Sequence, residues 1–178
     1  MDSINKNQPE ENTKNLFGEE AITKIKELVG KSGVCFFCTK IKSGESFSTR
    51  PMSVQITDDD GNMFFLSAAD SHHNVEINED SKVQLLFKES SYEDFLTLYG
   101  EASINKDRAM IEKLWNPMMK TWFTEGIDDP RITVIKFAIK DGYYWDTKHG
   151  QLVSFIKRLA GAAMGKTLDD SIEGYIKV

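Results

Sequence analysis

Hydrophobic residues recur along this chain with two spacings, one typical of helices and one typical of strands. Helical spacing predicts amphipathic helices over residues 18–31, 107–115 and 152–163. Their inward-facing residues are Ala21, Ile22, Ile25, Leu28 and Val29, then Met110, Ile111, Leu114 and Trp115, then Leu152, Ile156, Leu159 and Ala163. Asp107 is a preferred N-cap residue for the second helix. Helix-ending residues follow the first two helices: Gly30 and Gly33, and Asn116-Pro117.

Short apolar runs between turn residues predict strands. They cover residues 34–41, 46–56, 82–88 and 95–104, with two more at 131–140 and 143–145 around an Asp141-Gly142 turn. Gly100 indicates a bulge or a close approach of two backbones. Most connections between these strands are too short for crossover helices, so the order predicts a mainly β, α+β fold. About six strands would form a small antiparallel barrel with flanking helices.

The apolar segment that begins at Met63 predicts a strand that runs directly into a helix. Ser71 suits the N-cap of this helix, and Val75 and Ile77 are expected to face inward. A helix N-terminus attracts anions, and Arg50 lies one strand earlier, so both could converge on one phosphate. The alternative is an ordinary strand-to-helix turn with a solvated arginine.

Composition limits the classes of function. The formal net charge of −6 argues against a general nucleic-acid surface. No apolar run reaches membrane-spanning length and the N-terminus lacks a signal-peptide pattern, so we expect a cytoplasmic protein. We expect one domain over residues 17–165, with a flexible arm over residues 1–16 and a C-terminal tail over residues 166–178.

The two cysteines, Cys35 and Cys38, lie in a predicted buried strand, where residues three apart point to opposite faces. We therefore expect core cysteines rather than a redox pair or a metal site. The strand over residues 95–104 is apolar on both faces, which suggests that a second subunit covers one of them. The segment over residues 118–126 is rich in large apolar groups and is either a core plug or a lid over a flat ligand.

Several short motifs together resemble the general stress protein branch of the pyridoxamine-phosphate-oxidase-like FMN-binding split barrels, over residues 21–164. The motifs are Arg50-Pro51-Met52, Gly61 with Phe64-Phe65-Leu66-Ser67, Asp70-Ser71, Glu76-Ile77, Gly100-Glu101-Ala102, Leu114-Trp115, Lys120-Thr121-Trp122-Phe123, Asp128-Asp129-Pro130 and Tyr144-Trp145-Asp146. The resemblance implies a six-stranded antiparallel split β-barrel. It also implies a homodimer that holds two FMN molecules at its interface.

The resemblance assigns cofactor-binding roles by position. Arg50 would contact the FMN phosphate, Met52 would lie near the isoalloxazine ring, and Ser67 would approach the flavin. Pro51 is also counted among the cofactor-binding residues. Ser71 would cap its helix and bind phosphate oxygens. The segment containing Lys120, Trp122 and Phe123 would reach the flavin of the partner subunit.

One position departs from the family pattern. His73 stands where the family usually has lysine, and it would have to be protonated to help neutralise the phosphate.

The resemblance implies an FMN-dependent oxidoreductase that acts on a small molecule, with no side chain assigned as catalytic. Vitamin B6 oxidation is not expected, because the chain after Gly150 has Arg158 and lacks the histidine of true pyridoxamine phosphate oxidases. A flavin-binding or stress-sensing module without turnover is one alternative. Another is a split barrel that binds haem, with His72 or His73 as ligand, or a deazaflavin.

Overall fold

A computed structural model describes residues 11–42, 44, 46–88, 94–149, 151–164 and 170–178. Its strands are β1 (Leu16–Phe17), β2 (Val34–Thr39), β3 (Ser48–Ser53), β4 (Ile56–Thr57), β5 (Met63–Ala68), β6 (Lys82–Lys88), β7 (Phe95–Asn105), β8 (Ile132–Thr147) and β9 (Ser171–Lys177). Its α-helices are α1 (Gly18–Ser32), α2 (His72–Glu79), α3 (Arg108–Leu114) and α4 (Gln151–Met164). Two 3-10 segments, Pro117–Thr121 and Gly126–Asp128, lie between α3 and β8.

The nine strands form one mixed sheet, in the order β1-β9-β8-β7-β6-β2-β3, with β5 paired to β8 and β4 paired to β5. All pairs are antiparallel except β1 with β9. The prediction of a mainly β fold with flanking helices is therefore confirmed. The predicted count of six strands is too low, since β1, β4 and β9 were missed, and hydrogen bonds do not close the sheet over the described residues.

The predicted turn at Asp141-Gly142 is wrong, because β8 runs through it without interruption. This half of β8 has a partner on both sides: Gly142 lies opposite Leu98 of β7 and Ile176 of β9. A Cβ at Gly142 would lie 2.4 Å from the carbonyl oxygen of Thr97. The glycine is therefore required by a close backbone approach and not by a turn.

Gly100 combines both features predicted for it. The register of β7 against β8 shifts between Tyr99 and Gly100, which is a bulge. A Cβ at Gly100 would lie 2.1 Å from the carbonyl oxygen of Ala138. The residue thus marks a bulge where two backbones also approach closely.

The two ends of the described chain meet in the sheet. Asn12 and Leu16 are buried, and the chain beside them runs parallel to β9. The Tyr144 hydroxyl donates a hydrogen bond to the Lys14 carbonyl at 2.9 Å. Residues 12–16 therefore belong to the sheet and not to a loose arm, and much of the predicted tail is β9. Residues 1–10 of the predicted arm lie outside the described residues.

Two hydrophobic clusters form the core. The larger one includes Ala21, Ile25, Leu28 and Val29, which confirms the predicted stripe of α1. The helix continues past Gly30 and ends at Gly33, which adopts the left-handed conformation. The smaller cluster packs α3 and the segment after it against β5 and β8. Its buried members are Ile111, Leu114, Phe123, Ile132 and Val134.

Some predicted inward residues are exposed instead. Val75 of α2 is 52 % exposed, whereas Ile77 is buried as predicted, together with Asn74 and Glu76. In α4, Ile156 and Leu159 are 56 % and 57 % exposed, whereas Leu152 and Ala163 lie outside the residues whose side chains are described. Within the described residues, no helix has the length and apolar character needed to span a membrane.

The cysteines are buried, as predicted, and neither forms a disulfide. Burial, together with the neighbouring Cys38, raises the pKa of the Cys35 thiol to about 12. A thiol with such a pKa supplies almost no thiolate at neutral pH, so Cys35 is poorly suited to act as a nucleophile or a metal ligand.

Candidate functional site

A cleft of about 300 Å³ opens between β3 and β5, at the start of α2. It is lined by Arg50, Pro51, Met52, Ser53, Gln55, Leu66, Ser67, Ala68, His73, Met119, Trp122 and Phe123. Seven of the nine predicted cofactor-binding residues are in this lining. Two of the seven, Trp122 and Phe123, were expected to reach the flavin of a partner subunit, but they line the same cleft as Arg50 within one chain. Of the two predicted residues outside the lining, Ser71 lies next to it, with its hydroxyl 3.1 Å from that of Ser67. Lys120 is exposed and does not line the cleft.

Both sides of the cleft are strand edges. The Val54 N–H donates to the Gly33 carbonyl on the β2 side, so Pro51 and Ser53 direct their backbone groups to the opposite edge of β3. Proline suits such an edge because it has no N–H to leave unpaired. On β5, the Phe64 carbonyl accepts from Gln55, so Leu66 likewise directs its backbone groups away from β8. Polar backbone groups therefore face the cleft from both strands.

Ser71 begins α2 as predicted: its hydroxyl accepts a hydrogen bond from the backbone N–H of Asn74 at 3.4 Å. The first N–H groups of the helix thus lie beside Ser67, which lines the cleft. This places the partial positive charge of a helix N-terminus at one end of the cleft.

Arg50 reaches the same end of the cleft and is held there by Glu76 of α2. Its Nη1 donates to Glu76 Oε2 at 3.1 Å, and Glu76 also accepts hydrogen bonds from Thr39 and Ser48. Burial by itself would raise the pKa of Glu76, but these three hydrogen bonds and the Arg50 charge lower it to about 2. Glu76 is therefore ionised at neutral pH and fixes one side of the guanidinium.

Glu76 belongs to the Glu76-Ile77 motif, for which the sequence indicates no role. The available sign of a role was the position of this carboxylate next to Ile77, on the buried side of a predicted helix. An arginine on a neighbouring strand, Arg50, could then pair with it. A buried carboxylate needs such a partner.

His73 lacks the positive charge that it would need to take the place of the family's lysine. Burial lowers the pKa of its ring to about 4, and the nearby Arg50 charge acts in the same direction. Its Nε2 lies 2.5 Å from the Ser67 hydroxyl oxygen. The ring is therefore neutral at neutral pH in this structure, which leaves Arg50 as the cation in the cleft lining.

Behind the cleft, the Ser67 hydroxyl contacts a buried polar network that the sequence analysis missed. Its oxygen lies 2.8 Å from Asn74 Oδ1, and Asn74 Nδ2 donates to the Thr133 hydroxyl at 2.8 Å. Asn74 and Thr133 are each 2 % exposed. An asparagine within the first turn of a predicted helix was the available signal, but its partner lies 59 residues away in the chain.

The segment predicted to be either a core plug or a lid divides between the two roles. Phe123 is 4 % exposed and belongs to the smaller core cluster, although it also lines the cleft. Trp122 is 63 % exposed and lines the cleft with little support from the core. The plug is therefore Phe123, and Trp122 is the residue that is free to contact a ligand.

No group of three or more histidine, cysteine, aspartate or glutamate side chains in the described part of the chain is placed to hold a metal ion. His72, the other residue considered for haem, is exposed at the surface of α2. The pair His72-His73 therefore does not converge on one point.

Comparison with known proteins gives one matching family. The model of the family "Pyridoxamine 5'-phosphate oxidase like" matches residues 20–169. A related sequence, Protein bli-3 of Neurospora crassa, is 28 % identical over 105 residues, which cover 54 % of this chain. The chain spans about half of that relative's length, since the match covers 50 % of it.

Solved structures share the fold. The putative general stress protein 26 from Jannaschia sp. CCS1 superposes with a TM-score of 0.73 at 19 % identity, covering 90 % of this chain and 100 % of that one. The general stress FMN/FAD binding protein of Xanthomonas citri gives a TM-score of 0.58 at 22 % identity, covering 70 % and 87 %. Both likenesses establish the arrangement of strands and helices.

Proposed function

Since the chain belongs to the pyridoxamine 5'-phosphate oxidase-like family, we propose that its cleft binds a flavin and that the flavin is FMN. The observation that carries the proposal is the division of the cleft into two chemically different parts. Arg50 and the start of α2 form a cationic end, and apolar side chains such as Met52, Leu66 and Trp122 form the walls.

The chemistry of the cleft fits that of FMN. The isoalloxazine ring is flat and apolar on its faces but carries hydrogen-bond donors and acceptors around its rim. The side chains of Met52 and Trp122 suit the faces, and the edge backbone groups of Pro51, Ser53 and Leu66 suit the rim. Arg50 keeps N–H groups that Glu76 does not use, and these suit a phosphate.

When bound, the flavin would supply the redox chemistry, and the protein would supply position and electrostatics. We propose that the protein is a flavin-dependent oxidoreductase acting on a small molecule. Glu76, with its pKa of about 2, and the neutral His73 are unsuited to general acid–base catalysis near neutral pH. Glu76 would instead orient Arg50 towards the ligand, and His73 would contribute to the polar lining of the cleft beside Ser67.

The proposal includes a homodimer. Five residues stand directly opposite one another on the outer face of the sheet, across β2, β6, β7, β8 and β9. They are Phe36, Leu86, Thr97, Tyr143 and Tyr175, here called the outer row. Phe36 is 56 % exposed and Tyr175 is 65 % exposed, so a second copy that covered this row would bury a substantial apolar area.

Absorption spectroscopy and flavin titration test the proposal. The purified protein should carry the absorption bands of an oxidised flavin, or acquire them when FMN is added. Arg50→Gln should weaken FMN about ten- to hundredfold, because a charged hydrogen bond contributes about 1.5–3 kcal/mol. Riboflavin, which has no phosphate, should bind the variant and the wild type equally.

Arg108→Gln is the matched control, because Arg108 is an exposed arginine on α3 that pairs with Glu112 and Asp128. It should leave both affinities unchanged. A protein that binds neither flavin would contradict the proposal. Consumption of NADH or NADPH with a panel of small acceptors then tests oxidoreductase activity, and flavin binding without turnover would leave only the binding function.

A further inference from the structure

The polar network behind the cleft allows each shared hydrogen to be located, starting from a group that can only accept. The Ser67 backbone carbonyl lies 2.9 Å from the Thr133 hydroxyl oxygen. A carbonyl has no hydrogen to give, so Thr133 must donate to it. The single hydroxyl hydrogen of Thr133 is thereby used, and its oxygen can only accept from its next neighbour.

That neighbour is the side-chain amide of Asn74, 2.8 Å away. Because the Thr133 oxygen must accept, the amide group that faces it is the NH₂ group, and the amide cannot be rotated the other way round. The Asn74 carbonyl oxygen then faces the Ser67 hydroxyl at 2.8 Å. Asn74 is buried, and an amide oxygen left there without a donor would cost about 1–3 kcal/mol.

The Ser67 hydroxyl therefore donates to Asn74. Another possible acceptor, the carbonyl of Ala68, is 3.5 Å away and too distant for a strong hydrogen bond. Two neighbours remain, His73 Nε2 at 2.5 Å and the Ser71 hydroxyl at 3.1 Å, and both must donate to the Ser67 oxygen. A hydroxyl gives one hydrogen bond and accepts two, so the Ser67 side chain has no capacity left for a ligand.

We infer that His73 is held as the neutral tautomer with its hydrogen on Nε2, and that its Nδ1 lone pair is the acceptor this site offers to a hydroxyl group of the ligand. His73 is thus a specificity residue for a hydrogen-bond donor and not the second cation of a phosphate site. This assignment of a ligand group rests on the proposed flavin function, whereas the tautomer does not.

The surroundings of His73 support the neutral ring. Among the described residues, Nδ1 has no hydrogen-bond partner, and His73 lines the cleft. The charged or titratable groups that act on the ring are Arg50, Glu76 and His72, and the centroid of the Phe37 ring lies 6.4 Å from that of His73. Arg50 opposes a positive charge on the ring more strongly than Glu76 favours one.

Different parts of the ligand would therefore contact different parts of the cleft. A phosphate dianion has only acceptor oxygens and would repel the Nδ1 lone pair, so it is left to Arg50 and the start of α2. In a flavin, the hydroxyl donors are on the ribityl chain, which joins the ring to the phosphate. His73 would therefore recognise the polyol chain, which FMN and riboflavin share.

Nitrogen-15 NMR of the ligand-free protein tests the tautomer directly. Two-bond proton–nitrogen correlations of the imidazole rings distinguish the two neutral tautomers from the charged form. For His73 they should show a protonated Nε2 and an unprotonated Nδ1 from about pH 6 upward. At about pH 6 an ordinary histidine, with a pKa near 6.5, is still mostly protonated on both nitrogens. A hydrogen on Nδ1, alone or in the charged form, would overturn the inference whether or not the protein binds flavin.

Titration with three flavins tests the ligand group. His73→Phe keeps a ring of similar shape and should weaken FMN and riboflavin by the same factor, about two- to tenfold for one neutral hydrogen bond. Lumiflavin, which lacks the ribityl chain, should bind both proteins equally. In the wild type, FMN affinity relative to that of riboflavin should stay constant from about pH 6.5 to 8, because FMN's own phosphate has largely lost its second proton there.

Selective loss of FMN in His73→Phe, or an alkaline fall in the FMN affinity of the wild type, would contradict the inference and identify His73 as a phosphate cation. If His73→Phe does not fold, His73→Gln takes its place, and the NMR result of the wild type still decides the tautomer. Failure of all three flavins to bind would overturn the flavin function and the ligand assignment together, while the spectrum of the ligand-free protein would still report the tautomer.

Discussion

Two titratable side chains beside the cleft, His73 and Glu76, have lowered pKa values for different reasons. For His73, burial opposes the charged ring, so the lowered value means a neutral residue. For Glu76, hydrogen bonds and the Arg50 charge outweigh burial, so the lowered value means an ionised residue. A lowered pKa therefore means that His73 carries no positive charge at neutral pH, whereas Glu76 carries a negative one.

Glu76 should make the stability of the protein depend on pH in a defined range. Its pKa is about 2 in the folded protein and 4.5 as the ordinary value, so its contribution is complete above about pH 4.5 and is lost as the pH falls towards 2. Glu76→Gln should lower the free energy of unfolding at pH 7 by about 1–3 kcal/mol, since buried partners lose a charged acceptor. Urea unfolding at several pH values measures this.

Glu79→Gln is the control on the same helix, since Glu79 is an exposed residue paired with Lys40. It should change the free energy of unfolding by less than about 1 kcal/mol. Equal stability of Glu76→Gln and wild type at pH 7 would show that the carboxylate does not hold Arg50.

At the scale of elements, the segment after α3 places two neighbouring aromatic residues in different environments. Phe123→Ala should lower the free energy of unfolding by about 3–5 kcal/mol, because it removes a buried ring from the smaller core cluster. Trp122→Ala should cost less than about 1 kcal/mol, because that side chain is mostly exposed, but it should weaken flavin binding. Thermal unfolding of the ligand-free variants and FMN titration of each separate the two effects.

The opposite result, a stable Phe123→Ala or a strongly destabilised Trp122→Ala with normal affinity, would reverse these roles.

β8 is the element on which the sheet depends, because β7 lies along one side while β5 and β9 share the other. Gly142→Ala should destabilise the protein by more than about 2 kcal/mol, since the added carbon would collide with the backbone of β7. Gly30→Ala, in an open position of α1, should instead stabilise it by about 0.5–1 kcal/mol. Thermal melting of the two variants, measured side by side, should move in opposite directions.

At the scale of the whole molecule, we predict a dimer in solution that depends on the outer row. Phe36→Lys combined with Leu86→Lys should give a monomer, because two charges would have to be buried between the copies. Val75→Lys, which changes an apolar residue of similar exposure on α2, should leave the dimer intact. Light scattering at micromolar concentration distinguishes the outcomes, and a wild-type monomer with a native fold would rule out the dimer.

The sequence by itself determined features that depend on residues close together in the chain. The stripe of α1 and the face of α3 follow from helical periodicity. The N-caps Ser71 and Asp107 follow from the chemistry of short acceptor side chains, and the bulge at Gly100 follows from a glycine within a strand pattern. The resemblance added residues from three separated segments, and seven of these residues line one cleft.

Only the tertiary structure decided which distant groups meet. β8 continues through Asp141-Gly142 because two other strands hold it on both sides, and no local pattern contains that information. The neutral state of His73 likewise follows from its burial and from Arg50, which lies on another strand. The hydrogens of the cleft are assigned from Thr133, 66 residues after Ser67 in the chain, because a hydrogen bond fixes its donor by spatial contact and not by sequence position.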